Sequence, residues 1–160
     1  MTILAEKAHI TAEEFTSRPH QRNYELINGQ LVERKPMGMR ESHIAARIVT
    51  FLSNHVDQHQ LGYVFASDLS YRCFGDPDTL RRPDVSFISN QRLPHGIPEG
   101  GYAALPPDLA VEVVSPNDLA YEVQSKVELY LAAAIPVVWV VYPNTKNPSS
   151  RRSHECPAGA

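Results

Sequence analysis

Cysteine is scarce in this chain. Only Cys73 and Cys156 occur among 160 residues, far apart and without the close spacing of a metal-binding pair. That argues against a disulfide framework and a cysteine-ligated zinc centre, and it points to a reducing compartment. Long apolar runs are missing too. No stretch approaches the ~20 residues that a membrane helix needs, so no membrane association is expected. Met1 to His9 carries Glu6 and Lys7 and has no apolar core, so it is not expected to act as a secretory signal. Positive charge is not in excess: the formal net charge is -3, which gives no overall pull toward nucleic acid or anionic lipid. A polyanionic partner would have to meet a local basic patch. Internal repeats and linkers are also absent. The expectation is a cytoplasmic protein with one domain at 11–142, a flexible arm at 1–10 and an atypical, disordered tail at 143–160. A chain of this length is long enough to build a core.

What is present reads as alternating strands and helices. Thr11-Ala12-Glu13-Glu14 fits a capping box that opens a short helix ending near Pro19. Tyr24–Ile27 and Gln30–Glu33 flank Asn28-Gly29, a strong signal for a tight hairpin. From Ser42, the residues Ile44, Ile48, Phe51, Leu52 and Val56 recur at helical spacing, so a long amphipathic helix is expected over 43–60. His55 and His59 lie four apart on it and could share a metal, but no third ligand is in sight and a solvated helix face is the better reading. Tyr63 to Phe74 suggests one or two strands, and Arg82 to Ile88 a strand opened by Pro83. Residues 89–107 hold four prolines and three glycines and read as a long surface loop.

The chain is organised around Pro107 to Asp118. Leu109, Val111 and Val113 alternate with Ala110, Glu112 and Val114, so both faces of this strand are mostly apolar and it should be central in a sheet. Asn117 or Asp118 can cap the helix that follows, with Leu119, Val123, Val127, Tyr130, Leu131 and Ala134 as its apolar stripe. Pro136 stops that helix, and Val137 to Tyr142 returns as a second buried strand. Strand, helix, strand of this length implies a right-handed crossover between parallel strands. The fold class is therefore α/β, a mixed sheet flanked by helices with an N-terminal β-hairpin.

Glu112 then sits in a strand that offers it little water, so it must be paired, protonated or bound to a metal. An arginine partner is one reading. Another joins it to Asp84, at the start of one strand, and to Lys126, at the border of the helix stripe. Two carboxylates and an ammonium at a sheet edge suit metal-assisted phosphodiester hydrolysis. The carboxylates supply hard oxygen ligands for Mg²⁺ or Mn²⁺, and the lysine orients water or stabilises charge on the phosphate. Asp84 capping a turn and Lys126 lying along the surface are the plainer alternatives.

In order along the chain, Tyr24-Glu25-Leu26-Ile27-Asn28-Gly29, Arg82-Pro83-Asp84-Val85, Val111-Glu112-Val113-Val114-Ser115-Pro116, Lys126 to Tyr130 and Val138-Trp139-Val140-Val141 resemble the Uma2 family. That family, once catalogued as a domain of unknown function, is grouped with the PD-(D/E)xK restriction-endonuclease-like folds. The resemblance implies a metal-dependent endonuclease acting on DNA, often as a homodimer, with Asp84 and Glu112 as the two acids. It also implies Glu25 as an additional acid near the site, and recurrent positions at Ser115 and Tyr130. Val114 stands where the lysine of the motif usually lies, two residues after the second acid, and Lys126 matches a helix lysine that substitutes for it. The Ser-Arg-rich stretch after Trp139 departs from the further strands usual in the family, and Tyr142 stands before Pro143 where members often have aspartate. The alternative is a non-catalytic nuclease-fold protein that binds nucleic acid or a protein partner.

Overall fold

The computed structural model describes residues 8–19 and 21–143, and the backbone of 149–152. The capping box forms as read. Thr11 Oγ1 accepts from Glu14 N at 3.2 Å and the Glu14 carboxylate accepts from Thr11 N at 2.9 Å, which opens helix α1 (Ala12–Ser17). Most of the expected arm lies outside the described residues. Its last residue, Ile10, is buried, and the Ile10 N–H donates to the Gly29 carbonyl. Strands β1 (Tyr24–Ile27) and β2 (Gln30–Glu33) pair antiparallel, closing at Ile27 and Gln30. Both turn residues have positive φ, 48° at Asn28 and 71° at Gly29, the geometry of a type I′ turn whose twist matches the strands. Leu26, Phe15 and Leu80 are fully buried beneath this hairpin, each contributing roughly 1.5–3 kcal/mol by burial.

Helix α2 (Met39–Gln58) begins four residues earlier than its apolar period suggests. Ala45 and Val56 are buried, and Ile44, Ile48 and Leu52 pack on the sheet. Phe51 was expected in that stripe but is 62% exposed; one residue before Leu52 it faces away from the sheet, with the Arg47 guanidinium 4.8 Å from its ring centre. His59 falls just past the helix, its Nδ1 2.8 Å from the His55 carbonyl.

The main sheet has five strands in the order β3 (Gly62–Ala66), β5 (Val85–Ser89), β7 (Leu109–Val113), β8 (Val137–Val141) and β9 (Ser149–Arg152). β5 runs antiparallel to both β3 and β7, β7 and β8 are parallel, and β9 is antiparallel to β8. Gly62 opens β3 at a φ of 152°, where a Cβ would collide with the Ile88 carbonyl, so no larger residue fits there. All five residues of β7 are buried. Leu109, Val111 and Val113 face the α2 side of the core, while Ala110 packs with Val127, Tyr130 and Val138 beneath helix α3 (Ala120–Ala132). The sheet is thus mixed and covered by a helix on each face, as the apolar pattern requires.

Five local expectations need correction. The strand after Pro83 starts at Val85, leaving Asp84 just ahead of it. The loop at 89–107 contains β6 (Tyr102–Ala103), which pairs parallel with β4 (Ser70–Tyr71). α3 is capped at Leu119, because the Asp118 carboxylate is engaged by Ser115 N at 2.7 Å while Glu122 reaches back to Leu119 N. The helix ends at Ala132, ahead of Pro136, and Ala134 takes a φ of 60°. Within the stretch expected to be a disordered tail, Ser149–Arg152 forms an edge strand on β8.

Candidate active site

β7 runs two residues beyond its last pairing with β5, so the backbone of Glu112 and Val113 is left open on that side. Asp84 fills the gap. Its Oδ2 accepts from Val113 N at 2.8 Å, and its Oδ1 faces the Arg34 guanidinium at 4.0 Å, beyond hydrogen-bond reach. Glu112, on the same strand end, points toward α3. Residues 126 and 130 are one helical turn apart, so both reach it. Lys126 Nζ donates to Glu112 Oε2 at 2.8 Å, and the Tyr130 hydroxyl donates to Oε1 at 2.7 Å.

Glu25 comes from the hairpin. The β1 bridge between Leu26 and Leu80 brings β1 alongside the segment leading into β5. The buried Glu25 carboxylate accepts from Arg81 Nη1 and from Arg82 N, both at 2.8 Å, and lies 3.9 Å from Lys126 Nζ. Glu25, Asp84, Glu112, Lys126 and Ser115 line one cleft of about 380 Å³, with Tyr130 buried behind Glu112. The structure therefore brings the six residues singled out in the sequence to one place. The ion partner of Glu112 is Lys126 and not an arginine; the arginine pairs with Glu25 instead.

The electrostatics of the three acids differ. Burial pushes the Glu112 carboxyl up to about 7; Lys126 opposes that and neighbouring Asp84 adds to it. Burial also raises Asp84, against the pull of Lys126 and the Val113 hydrogen bond. Burial works against ionised Glu25 as well, but Lys126 and Arg81 outweigh it and hold Glu25 below its ordinary value. Lys126 itself is disfavoured by burial, yet the surrounding carboxylates, Glu112 first, raise it overall. Burial and Glu112 both lift the Tyr130 phenol well above its usual range, so it stays a donor.

The cleft is lined by six acids and four cations, so it is short of positive charge even with the half-buried Lys126 ammonium beside Glu112. A hard divalent cation fits that shortage and this donor set: Asp84 Oδ1 has no hydrogen bond, and each Glu112 oxygen has accepted one donor and keeps a lone pair. Among the described residues, no group of three or more His, Cys, Asp or Glu side chains is gathered to hold a metal as they stand, His55 and His59 included. Sequence reasoning missed Arg34 and Arg81. Arg81-Arg82 directly before Pro83-Asp84 was a visible signal for the second; Arg34, at the end of the hairpin, carried none. Arg81 Nε is buried without a hydrogen-bond partner.

No helix among the described residues is long and apolar enough to cross a membrane. No curated protein sequence matches the chain. The structure is similar to that of a "putative nuclease belonging to DUF820" from Anabaena variabilis ATCC 29413, with a TM-score of 0.74, 23% identity, and coverage of 91% of this chain and 81% of that one. At that identity the likeness shows the fold. The family described as "Uma2: Putative restriction endonuclease" matches residues 12–150 of the 160, and the chain belongs to the Uma2 family.

Proposed function

We propose that this protein is a divalent-metal-dependent endonuclease that hydrolyses DNA phosphodiester bonds. The observation that carries the reading is the convergence of Asp84, just ahead of β5, Glu112 on β7 and Lys126 on α3 in one cleft. Asp84 and Glu112 would hold Mg²⁺ or Mn²⁺, with Glu25 beside them. When bound, the ion lowers the pKa of water and offsets charge on the phosphate. The chain's own residues do the rest. Tyr130 fixes the Glu112 carboxylate through its hydroxyl. Lys126, held by that same carboxylate, sets an ammonium at the cleft floor for the charge that builds on the attacked phosphoryl group. Lys126 and Arg81 together hold Glu25 ionised, and Glu25 in turn helps keep Lys126 protonated. Ser115 lies on the cleft wall where strand passes to helix.

One observation favours the non-catalytic alternative: both Glu112 oxygens already have donors, one of them the lysine the chemistry calls for. Supercoiled plasmid separates the two. The endonuclease reading expects nicking with Mn²⁺ or Mg²⁺, none in EDTA, and none by Asp84→Ala; nicking that survives Asp84→Ala would remove this site. A homodimer is proposed on the resemblance to a family that often acts as one, and closed two-fold assemblies are the commonest oligomers. Light scattering that gives a monomer mass at high protein concentration would refute it.

A further inference from the structure

The cleft is lined by four cations, Arg34, Lys35, Arg81 and Lys126. Three are committed. Lys126 bonds Glu112, Arg81 bonds Glu25, and Lys35 bonds both Glu122, at 3.0 Å, and the Asn117 carbonyl, at 3.1 Å. Arg34 alone among these has no hydrogen-bonded acid, its nearest carboxylate oxygen being 4.0 Å away. Among the described residues that line the cleft, one guanidinium without a hydrogen-bonded acid is left to meet a phosphate, beside the Lys126 ammonium assigned to the attacked phosphoryl group.

The remaining walls are of another kind. Val32, Met37, Val114 and Val123 give an apolar side, and Tyr121, in the first turn of α3, lines the same cleft while 66% exposed. An aromatic at the lip of a small, partly apolar cleft offers a stacking face for a base, and every unpaired base has a π-face to present. Bases in a duplex do not. A cleft of about 380 Å³ is in the range that encloses a small ligand, and it cannot enclose a double helix.

We infer that the cleft takes an unpaired DNA strand, one nucleotide at a time, with the phosphate on Arg34 and the base on Tyr121. This rests on the nuclease reading and narrows its substrate to single-stranded or locally unpaired DNA. Fluorescence anisotropy with a short labelled oligothymidylate, against a mixed-sequence duplex of equal length and with Ca²⁺ present, tests it. The oligothymidylate is expected to bind about tenfold or more tighter than the duplex. Tyr121→Ala is expected to weaken it by about tenfold, and Tyr121→Phe to leave it unchanged. Arg34→Ala is expected to flatten the logarithmic salt dependence by about 0.7, one phosphate contact on a single strand. Equal or tighter duplex binding, or an unaffected Tyr121→Ala protein, overturns the inference. If duplex plasmid is nicked while the single strand is ignored, this inference falls and the nuclease reading stands. If nothing is bound and nothing is cut, both fall.

Discussion

Glu112→Gln should make the metal-free protein less sensitive to pH, and in a defined direction. Glu112 is buried on a central strand, and burial raises its carboxyl from 4.5 to about 7. A group whose folded pKa lies above its unfolded value binds protons more tightly in the folded state. Its contribution to stability is complete below the unfolded value and is lost as pH rises through the folded one. A rise from 4.5 to about 7 corresponds to roughly 3 kcal/mol, lost between about pH 4.5 and 8. Asp84 is raised as well and adds a loss of the same sign. The raised Lys126 stays protonated throughout this window, so its own titration contributes no slope. Glutamine keeps the acceptor for Tyr130 and carries no charge, so the variant should lose the Glu112 share of the slope. Urea melts in EDTA from pH 5 to 8.5 give the measurement. Wild type should weaken by a few kcal/mol relative to the variant as pH rises. Parallel stability curves for the two proteins would refute the argument, since burial would then not be perturbing this carboxyl.

Two further substitutions probe the helix that faces Glu112. Lys126→Met should slow single-turnover nicking by about 10²–10³-fold while leaving Mn²⁺ affinity nearly intact, because it removes a charge needed mainly as the phosphoryl group is attacked; unchanged cleavage removes Lys126 from the mechanism. Tyr130→Phe removes the donor to Glu112 Oε1 and leaves that buried oxygen without one, which should cost about 1–3 kcal/mol in urea unfolding at pH 8 and less at pH 5, where the carboxyl is protonated. A pH-independent cost would mean that the phenol matters only for packing.

Local chemistry made much of this molecule legible in advance. Asn28-Gly29 determines its own turn, Thr11 and Glu14 satisfy each other across four residues, and the alternation from Leu109 to Val113 already separates the two core faces. What escaped reading depends on partners distant in the chain. β6 is two residues long, sits among prolines and glycines, and exists because Ser70–Tyr71 lies beside it. β9 is polar throughout, and its pairing with β8 comes from backbone groups that carry no sequence signature. Asn117, Asp118 and Leu119 offer adjacent starts for one helix, and the choice falls to Leu119 once Asp118 is taken by Ser115. The same distinction applies at the site. Glu112 announces itself as an acid in an apolar strand. Arg34 is one of several basic residues after the hairpin, and only the folded hairpin brings it to Asp84.

The central claim is that Asp84 and Glu112 share one divalent cation. Titration calorimetry with Mn²⁺ on the wild type and on Glu112→Gln tests it without depending on substrate or on cleavage. The account predicts one site per chain in the wild type, with binding strengthening as pH rises past 7, and loss of that site in Glu112→Gln. Equal Mn²⁺ affinity in the two proteins, or no binding by the wild type, would contradict it.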